Sequence, residues 1–236
     1  MAGFDYGNAR LRAMKSRLLT KRDVEALINS GSVRGVITVL TQTDYQRFIE
    51  SALTRSIGLD CIDEALNKNL INTVKRIKNF YQDNAGDEVA LVLRSYDIHN
   101  LKVILRGLTA NVALSEILEA TLPVGELDVA ILNELASAAG SRACVDMLAS
   151  MGFVYAQPLM KLRGKHPGAL TSEMELELDR WQVDNAYKTV SNFPGNGDVL
   201  LSAYRIMADL VNLNTVLRFS HAPSERKFLR DWLGKE

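Results

Sequence analysis

The chain has 236 residues, 47% of them hydrophobic and 24% charged, which suits a folded protein with a sizeable core in one large domain or two ordinary ones. Lys plus Arg and Asp plus Glu both number 28, so the net charge is zero and the basic excess expected of a nucleic-acid or anionic-lipid binder is absent. Two cysteines, Cys61 and Cys144, and three scattered histidines give neither a disulfide framework nor a clustered zinc site.

Residues 1–12 are polar and basic with no apolar stretch behind them, so no signal peptide is expected. No run of 18 apolar residues occurs, so no bilayer-spanning helix is expected either, and a reducing, cytoplasmic setting fits the free thiols. Thr20, three residues before Asp23, reads as the N-cap of a short helix that should stop near Gly31. Thr43 and Gln46 have capping-box spacing ahead of Phe48, Ile49 and Leu53. From Leu59 the apolar positions run Ile62, Leu66, Leu70, Thr73, Ile77 and Phe80, one stripe of a long helix whose other side carries Asp60, Asp63, Glu64, Lys68, Lys75 and Lys78. Asp63 and Glu64 read as a solvated face. Leu91, Arg94, Ile98, Leu101, Leu105 and Leu108 mark a second helix of the same period. Gly-Lys-His-Pro-Gly at 164–168 and Pro-Gly-Asn-Gly-Asp at 194–198 are the clearest loops. Nothing alternates long enough for a half-buried strand, so the expected class is all-α.

The sequence repeats itself. Asp97-Ile-His-Asn100-Leu101 through Arg106 recurs as Asp209-Leu-Val-Asn212-Leu213 through Arg218, an offset of 209 − 97 = 112. The same offset aligns Ile62 with Met174, Asp63 with Glu175, Leu66 with Leu178 and Asn67 with Asp179. A weaker copy, Asp5-Tyr6-Gly7-Asn8 followed by Arg10 and Arg12, opens the chain. The organisation expected is tandem similar helical-bundle units: an N-terminal helix and partial repeat at 1–19, a first unit at 20–110, a second at 111–220, and the start of an incomplete third at 221–236. Asp and Asn three apart sit near one another on a helix. They either brace the fold through caps and loop hydrogen bonds or, with Lys102, Arg106 and Arg218, meet a partner. An orphaned end after Arg218 would expose Phe219, Phe228, Leu229, Trp232 and Leu233.

Catalytic signatures are missing. No phosphate-binding G-x-x-x-x-G-K-[ST], no G-x-G-x-x-G after a strand, no G-x-S-x-G and no H-E-x-x-H occurs. No catalytic residue, metal or cofactor is therefore assigned. Trp181 and Trp232 read as core or interface.

Tyr6-Gly7-Asn8-Ala9-Arg10-Leu11-Arg12 and the two D-x-x-N-L-x-x-x-L-R helices, in this order, resemble the C-subunit family of V/A-type (vacuolar/archaeal) ATPases, whose eukaryotic members are known as d subunits. The resemblance implies an all-helical, funnel-shaped, non-catalytic part of the rotor, with three similar units about a pseudo-threefold axis. Such a protein sits on the cytoplasmic face of the proteolipid ring and receives the foot of the central axle. It binds no nucleotide, nucleic acid or small-molecule ligand. By the same resemblance the partners are the central axle subunits and the proteolipid ring. The repeated motifs and their basic neighbours supply the candidate contact residues: Asn8, Arg10, Arg12, Asp97, Asn100, Lys102, Arg106, Asp209, Asn212 and Arg218. Family members usually carry a third unit, which is expected to be lacking here. Two other readings compete: a helical-repeat interaction module of another assembly, and an enzyme whose dispersed site would form a pocket of perturbed titratable groups at the D-x-x-N helices.

Overall fold

The computed structural model describes residues 4–190, 193 and 197–220, with side chains described as far as 217. Among these residues every regular element is a helix. They run α1 (Asp5–Lys15), α2 (Lys21–Ile28), α3 (Val33–Leu40), α4 (Gln46–Leu53), α5 (Gly58–Lys78), α6 (Asp83–Ala110), α7 (Leu114–Glu119), α8 (Val129–Ala136), α9 (Ser141–Ser150), α10 (Ala156–Lys165), α11 (Thr171–Val190) and α12 (Gly197–Ser220). None is long and apolar enough to cross a membrane.

Local sequence sets several helix starts. Thr20 caps α2 in a capping box: its Oγ1 accepts from the Asp23 amide at 3.3 Å, and Asp23 accepts from the Thr20 amide at 2.7 Å. Ser32 caps α3 through the Gly35 amide at 3.1 Å. The capping box expected of Thr43 and Gln46 does not form. Thr43 Oγ1 instead accepts from the Tyr45 amide in a tight turn, and the Gln46 side chain donates to Glu50 one helical turn on. Gly31 lies just beyond the end of α2 with φ +66°, a conformation glycine adopts without a Cβ clash.

The chain divides into two compact units. The first comprises residues 1–100 and 120–132, the second 101–119 and 133–236, so α6 contributes to both. In the first unit, Leu40, Ile49, Ala52, Cys61 and Ala65 form a core of α3, α4 and α5, flanked by Val36, Phe48 and Ile62. A second cluster joins Val74 of α5 to Leu93 of α6 and Val124, with Leu70, Ile71, Val89 and Tyr96 around it. The buried seam of α5 is therefore Cys61, Ala65 and Val74, rotated from the stripe that hydrophobic spacing picks out. Leu59 and Leu66 of that stripe are exposed. Small side chains at 61 and 65 let α4 come close, with the Cys61 thiol 3.9 Å from the Ile49 carbonyl. Leu66, Leu70, Thr73 and Ile77 instead line a groove shared with Leu11, Met14 and Leu18 of the N-terminal segment.

In the second unit, α10 packs on α9 and α11, and α11 packs on α12. Tyr155 is fully buried with its ring edge-on to Trp181 at 5.5 Å. Cys144 and Cys61 are free, buried thiols, as their apolar contexts imply. Burial pushes Cys144 up to about 12, which keeps it protonated. Adding 112 to the bounds of α5 gives 170–190, beside Thr171–Val190 for α11. The same shift takes α6 to 195–222, beside Gly197–Ser220 for α12.

Candidate interaction surface

The two D-x-x-N pairs have different surroundings. Asp97 and Asn100 are buried, and both hold the loop that returns across α6. The Asp97 carboxylate accepts from the amides of Glu126 (2.9 Å, Oδ2) and Leu127 (3.0 Å, Oδ1). Asn100 completes the pattern two ways: its Oδ1 accepts from the Leu122 amide at 2.7 Å, and its Nδ2 donates to the Leu122 carbonyl at 2.8 Å. Lys78 adds a bond to the Gly125 carbonyl at 3.0 Å. Backbone groups of residues 122–127 cannot pair in a helix ladder, so these side chains satisfy them. Gly125 is required by space: a Cβ there would lie 2.2–2.4 Å from the Asp97 carboxylate atoms. Asp97 and Asn100 thus brace the fold, one of the two roles the sequence leaves open for them.

Further along α6, Lys102 and Arg106 face α11. Lys102 pairs with Asp179 at 2.5 Å, and the Arg106 guanidinium grips both oxygens of Glu175, with Nη2 at 2.6 Å. These are two i,i+4 rungs of opposite charge between antiparallel helices. Glu175 is buried and Asp179 nearly so. Burial pushes the Asp179 carboxyl up despite the Lys102 ammonium beside it. The Arg106 guanidinium is raised, chiefly by its hydrogen bond to Glu175. Sequence spacing singled out the two cations but not their partners. The available signal was the matching i,i+4 spacing of Glu175 and Asp179, together with their alignment to Asp63 and Asn67.

On α1 the polar residues lie outside. Asn8 is exposed, yet its Oδ1 accepts from the Tyr81 hydroxyl at 3.0 Å. Gly7 makes room for this, since a Cβ would fall 2.3–2.7 Å from the Tyr81 ring. Arg10 is exposed and stacks over Phe80 (5.3 Å) and Tyr6 (6.0 Å). Arg12 is exposed. Asp209 and Asn212 of α12 are exposed too. The side chain of Arg218 lies outside the described residues, as do those of Phe219, Phe228, Leu229, Trp232 and Leu233.

Glu64 is not an idle member of a solvated face. It takes ion pairs from Arg55 (2.8 Å) and Lys68 (2.5 Å) and a hydrogen bond from Ser56 (2.8 Å). The Lys68 contact, then Ser56, holds its carboxyl down at about 2. No group of three or more His, Cys, Asp or Glu side chains is placed to hold a metal among the described residues.

A family model described as ATP synthase (C/AC39) subunit matches residues 7–231. The C subunit of the A-type ATP synthase of Methanococcoides burtonii is 27% identical over 98% of this chain and 63% of its own length. That of Methanosarcina acetivorans is 28% identical over 95% of this chain and 61% of its own. The C subunit of the V-type ATP synthase of Deinococcus radiodurans is 31% identical over 58% of this chain and 40% of its own. The chain thus spans somewhat over three fifths of these archaeal relatives.

Proposed function

Because this chain belongs to the ATP synthase (C/AC39) subunit family, we propose that it is a non-catalytic connector of a V/A-type rotary ATPase, joining the central axle to the membrane proteolipid ring. The match over residues 7–231 carries this reading. The work assigned is mechanical: torque passes through the protein to drive ion transport or ATP synthesis, and no bond is made or broken in it. It would act at the cytoplasmic face of the membrane, attached through the complex.

The internal bracing supports that role. A body that transmits torque must deform little, and close-packed helices tied by buried polar contacts are stiff. Asp97 and Asn100 lock a loop to α6, while Lys102 and Arg106 lock α6 to α11. We read α2–α6 (residues 20–110) and α7–α12 (residues 111–220) as tandem units of one design, related by the 112-residue offset. The contact residues we propose are the exposed Asn8, Arg10 and Arg12 on α1 and Asp209 and Asn212 on α12, together with Arg218 on the strength of the sequence repeat alone. A ring of many identical subunits offers a symmetry that a body of few units cannot match. Contact through exposed charges tolerates that mismatch better than close steric fit.

The test is affinity capture with the whole chain from detergent-solubilised membranes of its source, with the double variant Arg10→Glu/Arg12→Glu alongside. Axle and proteolipid subunits should be recovered by the native chain and depleted with the variant. Recovery of neither by the native chain would overturn the proposal.

A further inference from the structure

We infer that the groove between the N-terminal segment, α4 and α5 is a binding site for an anionic single-chain amphiphile, a long-chain fatty-acid carboxylate. The inference uses none of the contact residues proposed above and is independent of the rotary reading. It departs from the expectation that no small-molecule ligand is bound.

The groove lies wholly within the first unit. Leu11, Met14 and Leu18 line one side, and Leu66, Leu70 and Ile77 of α5 the other. Steps of three, four and seven residues keep each row on one helical face, so each side offers a continuous apolar strip. The Asn8–Tyr81 hydrogen bond and the close fit of Gly7 to the Tyr81 ring pin α1 to the chain just past the end of α5. Further along, the two strips do not close on one another. Leu11, Leu18 and Leu66 stay 38%, 62% and 40% exposed, and a groove of about 810 Å³ remains. Apolar surface gathered in this way is a place for an apolar ligand to leave water.

Charge fixes the other end of that ligand. Lys15, Arg17, Arg47 and Arg76 also line the groove, against one acid, Asp44, an excess of 4 − 1 = 3 positive charges in a chain whose net charge is zero. All four cations are exposed, and none enters an ion pair among the described residues. Elsewhere cations are matched, as Lys102 is by Asp179 and Lys68 by Glu64. The Arg47 guanidinium lies 4.4 Å over the Phe48 ring, which holds a positive charge against the apolar lining. Size favours a single chain over a polypeptide. From Leu66 to Ile77 the groove runs about 17 Å at 1.5 Å per residue. Its volume lies within the roughly 300–1,000 Å³ of small-ligand sites. A helix of that length, about 10–12 Å across, would fill about 1,300–1,900 Å³ and stand largely outside. Because the cations are exposed, apolar burial supplies most of the affinity and the carboxylate sets the choice of ligand.

The test is calorimetric titration of dodecanoate, below its micellar concentration, into the full 236-residue chain. Saturable binding of one equivalent is expected. Decanoate should bind about tenfold more weakly, since each buried methylene is worth about fourfold. Dodecyltrimethylammonium, with the same chain and a cationic head, should not bind. Arg47→Glu/Arg76→Glu should weaken dodecanoate about tenfold by reversing the charge excess. Both positions are exposed, so circular dichroism should show that variant folded. Arg10→Glu/Arg12→Glu should bind dodecanoate as the native chain does, so the outcome is separable from capture of axle or ring subunits. No saturable binding by the native chain, equal affinity for the two chain lengths, binding of the cationic amphiphile, or an unchanged Arg47→Glu/Arg76→Glu variant would each overturn the inference. So would co-sedimentation with phosphatidylglycerol vesicles without binding of free dodecanoate, which would make the groove a membrane contact instead.

Discussion

Gly125→Ala isolates what the Asp97 brace contributes. Gly125 is not among the positive-φ positions, so alanine suits the backbone and the whole effect comes from space. The added methyl would sit 2.3 Å from Oδ1 and 2.2 Å from Oδ2 of Asp97. The turn must lift, which breaks the amide bonds from Glu126 and Leu127 and leaves a buried carboxylate under-solvated. Hydrogen bonds to a charged group contribute about 1.5–3 kcal/mol each, so two give about 3–6 kcal/mol, and partial relaxation favours the lower end. With a urea m-value of about 2–3 kcal/mol/M, the unfolding midpoint should fall by about 1 M. The assay is urea unfolding followed by far-ultraviolet circular dichroism, run also on Asp97→Ala and on the double variant. Alanine at 97 leaves room for the methyl, so Gly125→Ala should cost little in that background. An equal cost in both backgrounds, or a loss below about 0.5 kcal/mol in the native one, would refute the steric argument.

Lys102→Met should destabilise by about 2–3 kcal/mol, because it strands the largely buried Asp179 carboxylate. Lys102→Met/Asp179→Leu should recover most of that loss, and a double variant as unstable as the single would show that the pair is not the source. Glu64 gives a pH signature. Its carboxyl is held at about 2 against an ordinary 4.5, so its contribution is complete above about 4.5 and is lost as pH falls toward 2. After discounting for solvent screening that contribution is about 1 kcal/mol. Glu64→Gln should therefore be less stable than the native chain at pH 7 and match it near pH 2, as read by urea midpoints. An undiminished gap at pH 2 would assign the loss to packing.

The sequence by itself determined the helical class, the first capping box, the two long helices α5 and α6 and the repeat of 112 residues. All are local or periodic signals: a cap lies three residues from its partner, and a buried helix face recurs with the helical turn. It also brought out Asp97, Asn100, Lys102 and Arg106 as a set. What each of them touches was decided by tertiary structure, because Leu122, Leu127, Asp179 and Glu175 stand 22, 30, 77 and 69 residues away. The same holds for the seam of α5, where the close approach of α4 selected Cys61 and Ala65 over larger neighbours. Two D-x-x-N pairs that read alike in sequence thus end differently. A buried carboxylate and amide need donors and an acceptor brought to them, and only the folded chain shows that Asp97 and Asn100 of α6 have received such a loop while Asp209 and Asn212 of α12 are exposed.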